Sequence, residues 1–373
     1  MTGPIPGEAP DRLKPAPLEP ARRVLALPRY DRLGPSSRLR FFDPLPWLER
    51  AGLAVEVRPF FDDSYLERLF EGRRAPPLDL ARWYGRRLSA LAGRRRFGLL
   101  WIEKEALPWL PLAAERRLLA GVPYALDFDD AWHERYAGSR LLAGKLEALA
   151  AGSALCVVAN DNLAAWAEAA GARRVLKRPT PVDLERYPHR PPPAGGFRVG
   201  WIGTPSSAPF LEAVAGPLRA LAGTGPLTLV TIGAAPAGLP GVPEEFRPWS
   251  EATEGADLAG LHAGIMPLPD TPFARGKSGY KLLQYMAAGR PVVASPVGEN
   301  RVIVRDGETG FLAGGPEDWM RALERLRADR ALAGALGQAG RALVAERYAL
   351  AALAPGWAAA LADVASTPSR SRK

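Results

Sequence analysis

Residues 263–295 read AGIMPLPDTPFARGKSGYKLLQYMAAGRPVVAS. The first six form a short apolar run closed by prolines, the pattern of a buried strand. A helical segment is expected over 278–288, with Leu282, Leu283, Tyr285 and Met286 as its apolar residues. A second apolar run fills 291–295. Strand, helix and strand within roughly thirty residues make a βαβ unit, which brings two parallel strands together under one covering helix.

The loop inside this unit carries chemistry. Arg275, Gly276 and Lys277 come just before the expected helix start at Ser278, and Lys281 follows four residues after Lys277. A glycine lets backbone approach a ligand closely. A helix N-terminus offers free N–H groups and partial positive charge, which suits a phosphate. On a helix Lys277 and Lys281 share a face and repel each other unless an anion lies between them. Arg275 could add a bidentate hold. The P-loop spacing GxxxxGK[ST] is absent. The alternative is an ordinary solvated helix start capped by Ser278.

Outward from this unit the same alternation recurs. Strands are expected at 24–27, 53–60, 97–102, 124–128 and 154–159, then at 197–202 and 227–232, with helical patterns between them. The stretch 186–196, RYPHRPPPAGG, suits a linker. The expected organisation is an arm at 1–20 and a first Rossmann-like domain at 21–185. The linker leads to a second such domain at 197–347 and a terminal helix at 348–365. The arm and a tail at 366–373 are expected to be disordered. The fold class is α/β, two doubly wound parallel sheets facing a cleft. Ligands of such sheets bind beyond the carboxyl ends of the strands, so the strand-to-helix loops hold the candidate sites.

Composition narrows the classes. Over 373 residues, 47% are hydrophobic and 24% charged, the balance of a globular chain with a large core. No stretch has the ~18–20 consecutive apolar residues of a membrane span, and MTGPIPGEAPDRLKPAP does not read as a secretory signal. One cysteine, Cys156, excludes an internal disulfide framework. Three scattered histidines argue against a histidine metal site. The net charge of +9 is uneven. Residues 1–190 carry 31 basic and 24 acidic side chains, +7; the remainder carries 18 and 16, +2. A basic first half suits an anionic membrane surface, an acidic substrate or merely solvated helix faces. No nucleic-acid motif accompanies it, so nucleic acid is not expected as a partner.

Three further loops stand out. YALDFDDAWH at 124–133 places Asp127, Asp129 and Asp130 at a strand end. Asp127 and Asp129 could orient a substrate or, with Asp130, hold a divalent cation through oxygen; the plainer reading is a helix cap by Asp130. Gly34, Ser36, Ser37 and Arg38 follow the first strand and either cap a helix or face a ligand or acceptor across the cleft. Asn160 follows the strand at 154–159 and could face the cleft as well.

Residues 276–304, GKSGYKLLQYMAAGRPVVASPVGENRVIV, with GETGFL at 307–312, resemble the C-terminal donor domain of retaining glycosyltransferases of the GT-B fold, family 4. Residues 179–183, PTPVD, resemble that family's passage between domains. The resemblance implies transfer of a sugar from a nucleotide-diphosphate sugar to an acceptor hydroxyl, with retention, in glycan synthesis. It implies no metal and no cofactor, a cytoplasmic location that permits peripheral membrane contact, and a sugar, lipid-linked or small-molecule acceptor. It implies donor contacts at Gly203, Thr204, Arg275, Gly276, Lys277, Ser278, Lys281, Gln284 and Gly298. Asp129 falls near a family position beside the transferred sugar, and the last helix should cross back onto the first domain. The family's acidic pair falls here on Gly276 and Gln284, and its later glutamate on Val302. A lysine-bearing loop in place of glutamate reverses the charge. Alternatives are therefore a non-catalytic sugar-nucleotide-binding relative, an epimerase or a phosphorylase.

Overall fold

The computed structural model describes residues 22–367. The expected arm over 1–20 lies outside these residues, as does 368–373 of the expected tail. Two six-stranded sheets, every pair parallel, organise the chain. The first holds β1 (Arg23–Leu27), β2 (Ala54–Val57), β3 (Leu99–Glu103), β4 (Tyr124–Phe128), β5 (Leu155–Val158) and β6 (Val175–Lys177) in the order β2-β1-β3-β4-β5-β6. The second holds β7 (Phe197–Ile202), β8 (Leu227–Ile232), β9 (Glu244–Arg247), β10 (Ala263–Met266), β11 (Val292–Ala294) and β12 (Gly310–Leu312) in the order β12-β11-β10-β7-β8-β9.

Side chains alternate across each sheet, and both faces are covered. Leu25, Leu27, Leu100, Ile102, Leu126 and Phe128 feed one core of the first sheet. Val24, Ala26, Leu99, Trp101 and Ala125 feed the opposite one. The last helix, Leu350–Ser366, lies on that second core and brings Trp357 to 5.8 Å from Trp101, ring to ring. The chain thus passes from the first sheet to the second and returns. The two crossings touch: Val182 N–H donates to the Tyr348 carbonyl and Leu350 N–H to the Val182 carbonyl, both at 2.8 Å.

The structure differs from the sequence reading in its edges. β6, β9 and β12 were not expected. β9 reads EEFR and is partly exposed throughout, so no apolar run announces it. The helix expected from Ser278 begins at Tyr280, because Gly279 takes φ +67 just before it. Among the described residues no helix is long and apolar enough to cross a membrane.

In each sheet the strand order reverses at one place, between β1 and β3 and between β7 and β10. The connections there leave toward opposite faces and open a crevice at the carboxyl ends of the strands.

Candidate active site

On the second sheet the crevice lies between the loop after β7 and the loop after β10. Lys281 occupies the first turn of the helix Tyr280–Ala287. Its Nζ donates to Ser207 Oγ at 3.1 Å and stands 4.5 Å from the centre of the Trp201 ring. Gly203 leaves room for it, since a Cβ there would stand 2.6 Å from Nζ. No carboxylate pairs with Lys281 among the described residues. Burial first, then nearby Lys277, pull its pKa down to about 7, and Asp130 opposes them weakly. The arrangement holds an ammonium partly out of water without a counter-charge, which is the electrostatic form of an anion site.

Lys277 faces the same crevice. Its Nζ is 3.7 Å from Asp130 Oδ2 on the first sheet and 4.9 Å over the Phe273 ring. It stands in the loop, not on the helix, and Ser278 makes no cap. Arg275 does not join the two lysines. Its guanidinium is held by Asp270 at 2.6 and 3.1 Å in an exposed pair, apart from the two lysines. Gly276 and Gly298 act as spacers: a Cβ at Gly276 would meet Ala131 Cβ at 2.4 Å, and one at Gly298 would meet the Arg275 carbonyl at 2.3 Å. Gln284 is buried on the helix's second turn, and Thr204 Oγ1 lies 3.0 Å from Ser206 Oγ.

The first sheet supplies carboxylates and tethers. Asp129 follows β4 and pairs with Lys104 at 2.9 Å. Burial, against the pull of Lys104, leaves its carboxyl above the usual range. Asp127, two residues earlier, does not reach the crevice. It is wholly buried on the other face, paired with Arg40 at 2.5 Å and accepting from Trp101 Nε1 at 3.3 Å. The expected catalytic role is not one this buried, paired carboxylate can fill from here: Asp129 lies past the end of β4 at Phe128 and so does not share its face.

Ser36 and Ser37 neither cap a helix nor face the crevice with free hydroxyls. Both donate to the Glu103 carboxylate, Ser36 at 2.6 Å. Gly34 starts that short helix and packs directly against Tyr30. Arg38 crosses to the second sheet, its guanidinium 4.5 Å over the Trp249 ring, with a buried Nε that has no partner. Asn160 caps the helix Asp161–Ala169 through Oδ1. Its Nδ2 donates to the carbonyls of Gly276 at 2.9 Å and Lys277 at 3.1 Å. It positions the lysine loop and is not itself open to a ligand.

Sequence reasoning missed two groups. Glu103, Lys104 and Glu105 end β3 at the reversal point of the first sheet, and Lys104 takes φ +63, rare for a side-chain-bearing residue. Burial would push Glu103 up, but Lys104 and the two serines hold it down to about 2. The signal was present in 97–105, FGLLWIEKE: three charges directly after an apolar strand. Glu299 is the second. It is buried in the turn before the helix Asn300–Ile303, and burial, then Asp161, push its carboxyl to about 7 against Lys177. Among the described residues no three His, Cys, Asp or Glu side chains gather as a metal-ligand group. Of the arginine runs, Arg87 is buried while Arg73, Arg86 and Arg96 pair with Glu71, Asp62 and Glu56.

Residues 251–329 match the family model described as glycosyl transferases group 1. A D-inositol 3-phosphate glycosyltransferase of Streptomyces bingchenggensis is 42% identical over 125 residues, covering 32% of this chain and 25% of that enzyme. The match therefore spans a quarter of that curated relative's length. Among solved structures, HepE of Anabaena in complex with UDP and glucose superposes with a TM-score of 0.68 at 17% identity, covering 92% of this chain and all of HepE. Sucrose-phosphate synthase of Thermosynechococcus elongatus gives 0.68 at 14% identity, covering 92% and 99%. These two likenesses show the fold.

Proposed function

We infer, from a chain whose residues 251–329 match the group 1 glycosyltransferase model and whose two facing sheets have the GT-B architecture, that the protein moves a hexosyl group from a nucleotide-diphosphate sugar to an acceptor hydroxyl. The donor diphosphate lies on Lys281 and Lys277, between Gly203 and the helix Tyr280–Ala287. The acceptor, a sugar, a lipid-linked sugar or a small molecule, approaches from the first sheet. The protein works in the cytoplasm, and a lipid-linked acceptor would bring its basic first half to an anionic membrane surface. UDP is the donor base favoured by the likeness to HepE, which was solved with UDP.

The reaction breaks the bond between the anomeric carbon and the phosphate oxygen and forms one from that carbon to the acceptor oxygen, on the same face. The acceptor proton passes to the departing phosphate. Negative charge grows on that phosphate as the bond breaks. A donor already aimed at it contributes about 3–4 kcal/mol to the barrier reduction. Lys281 fits this role because packing against Trp201 and Ser207 has already removed part of its water. Asp129, held by Lys104, faces the sugar and counters positive charge at the anomeric carbon. Domain closure keeps water from the donor.

The observation that carries this reading is the Lys281 ammonium without a carboxylate partner. Titration of UDP and UDP-glucose into the wild type and into Lys281→Met tests it. Loss of one charge-assisted contact predicts roughly 10- to 100-fold weaker UDP binding, with release of UDP over an acceptor panel falling at least as far. Unchanged affinity in the variant would place the diphosphate elsewhere. UDP binding without turnover of any donor would favour the non-catalytic alternative.

A further inference from the structure

A second cationic site lies at the opposite end of the second sheet. A cavity of about 370 Å³ opens between the linker and the amino-terminal ends of β10 and β11. His189, Arg190, His262, Arg290, Arg330 and Gln338 are among its lining residues, and no carboxylate is. We propose that this cavity binds a phosphate group, as a free phosphate or diphosphate or as the phosphomonoester of a lipid, independently of the cleft.

The argument starts at Arg290. It is 2% exposed, it precedes β11, and its Nε has no partner. Among the described residues its guanidinium makes one hydrogen bond, from Nη2 to the Arg190 carbonyl. Burial lowers its pKa and no neighbouring carboxylate opposes that. A buried guanidinium without a counter-ion is unfavourable, and a planar fork with a free N–H matches two phosphate oxygens. Arg330 adds a second guanidinium from the start of the helix Arg330–Arg347 and is anchored at 3.1 Å to the Gly195 carbonyl. Linker carbonyls therefore aim both arginines while leaving their charge unneutralised.

His262 forms the wall. Its Nδ1 accepts the Arg198 N–H at 2.9 Å, so the proton sits on Nε2, which donates to the Pro193 carbonyl at 2.9 Å. Burial and then Arg330 keep this imidazole neutral, down to about 4, with Arg290 and Arg198 adding to the effect. Arg190, His189 and Arg330 are exposed and leave the mouth open to solvent. Gly289 keeps φ +70 and lets the His189 ring close over it: a Cβ there would stand 2.7 Å from His189 Nδ1. An occupant here would bind the linker to the sheet it enters.

The test uses the full chain. Inorganic phosphate and pyrophosphate are titrated by calorimetry against chloride at matched ionic strength, in the wild type, Arg330→Gln, Arg290→Gln and Lys281→Met. A saturable site weakened at least tenfold in Arg330→Gln and kept in Lys281→Met is the expected result, distinct from any pyrophosphate binding at the cleft, which Lys281→Met removes. Arg330 is exposed, so its variant folds even where Arg290→Gln does not. A second arm sediments the protein with phosphatidylcholine vesicles carrying phosphatidic acid or phosphatidylserine. Capture by phosphatidic acid alone, lost in Arg330→Gln, identifies a lipid source; saturable binding of free phosphate without capture identifies a soluble one. Binding that disappears only in Lys281→Met, or that chloride reproduces, or the failure of both arms, overturns the proposal. Such failure leaves the cleft reading untouched, since that stands on UDP.

Discussion

Asp127 and Asp129 differ by two positions and have unlike fates. Strand residues two apart share a face only while the strand continues, and β4 ends at Phe128. Asp127 therefore turns into the core under Trp357, where Arg40 reaches it from 87 residues away. Burial pushes its carboxyl to about 6 against the pull of Arg40, so the pair is charged at neutral pH. Asp127→Ala would strand the Arg40 guanidinium and cost about 3–5 kcal/mol, read as a large fall in urea midpoint. A variant with wild-type stability and no transfer activity would return Asp127 to the cleft. Neither outcome was legible in DFDD, because the deciding partner, Arg40, lies in the helical turn Arg38–Phe42, far off in sequence. Lys281 was legible, since a lysine behind a glycine loop after an apolar strand carries its own local signal. Arg275 looked equivalent in sequence, yet Asp270, five residues earlier, had already claimed it.

At the scale of elements, interior strands were legible and edge strands were not. A strand buried on both faces writes an apolar run, as LTLVTI in β8 does, whereas β6 reads VLK and β9 reads EEFR. The helix after Gly279 was legible in its body but not in its first turn, which a single left-handed residue sets. The turn at 297–300 shows what such short elements can hide. Glu299 is 5% exposed and its carboxyl is raised to about 7 from an ordinary 4.5. Between those values the folded chain keeps a proton that the unfolded chain has released. Stability therefore falls as pH rises from about 4.5 to about 7, and the whole penalty is present above that window. Glu299→Gln removes it. The variant should exceed the wild type by up to about 3 kcal/mol at pH 8 and match it near pH 4, measured by thermal melts across that range. Equal melts at pH 8 would mean that the carboxylate is solvated or paired in solution.

For the whole molecule, the cleft is assembled by contacts that no local pattern contains. Asn160 holds the Gly276 and Lys277 carbonyls from 116 and 117 residues away, Arg38 stacks on Trp249, and Arg32 and Arg186 share Glu251 at 2.8 and 3.0 Å. The two-sheet plan could be read from the alternation of runs, but this closure could not. The returning helix Leu350–Ser366 is the strongest of these non-local links. It follows the second sheet in sequence, yet Trp357 is wholly buried in the first sheet's core with Phe41, Trp101 and Leu361. Trp357→Ala should cost about 3–5 kcal/mol, and the cost should fall on the sheet that is distant in sequence. Hydrogen exchange followed by mass spectrometry separates the two units. Amides of β1, β3, β4 and β5 should lose protection first, while β7, β8 and β10 keep theirs. Loss confined to the second sheet would show that the helix belongs to the unit it follows. Equal loss in both would show that the two crossings at Val182 and Ala349 make the sheets unfold as one body.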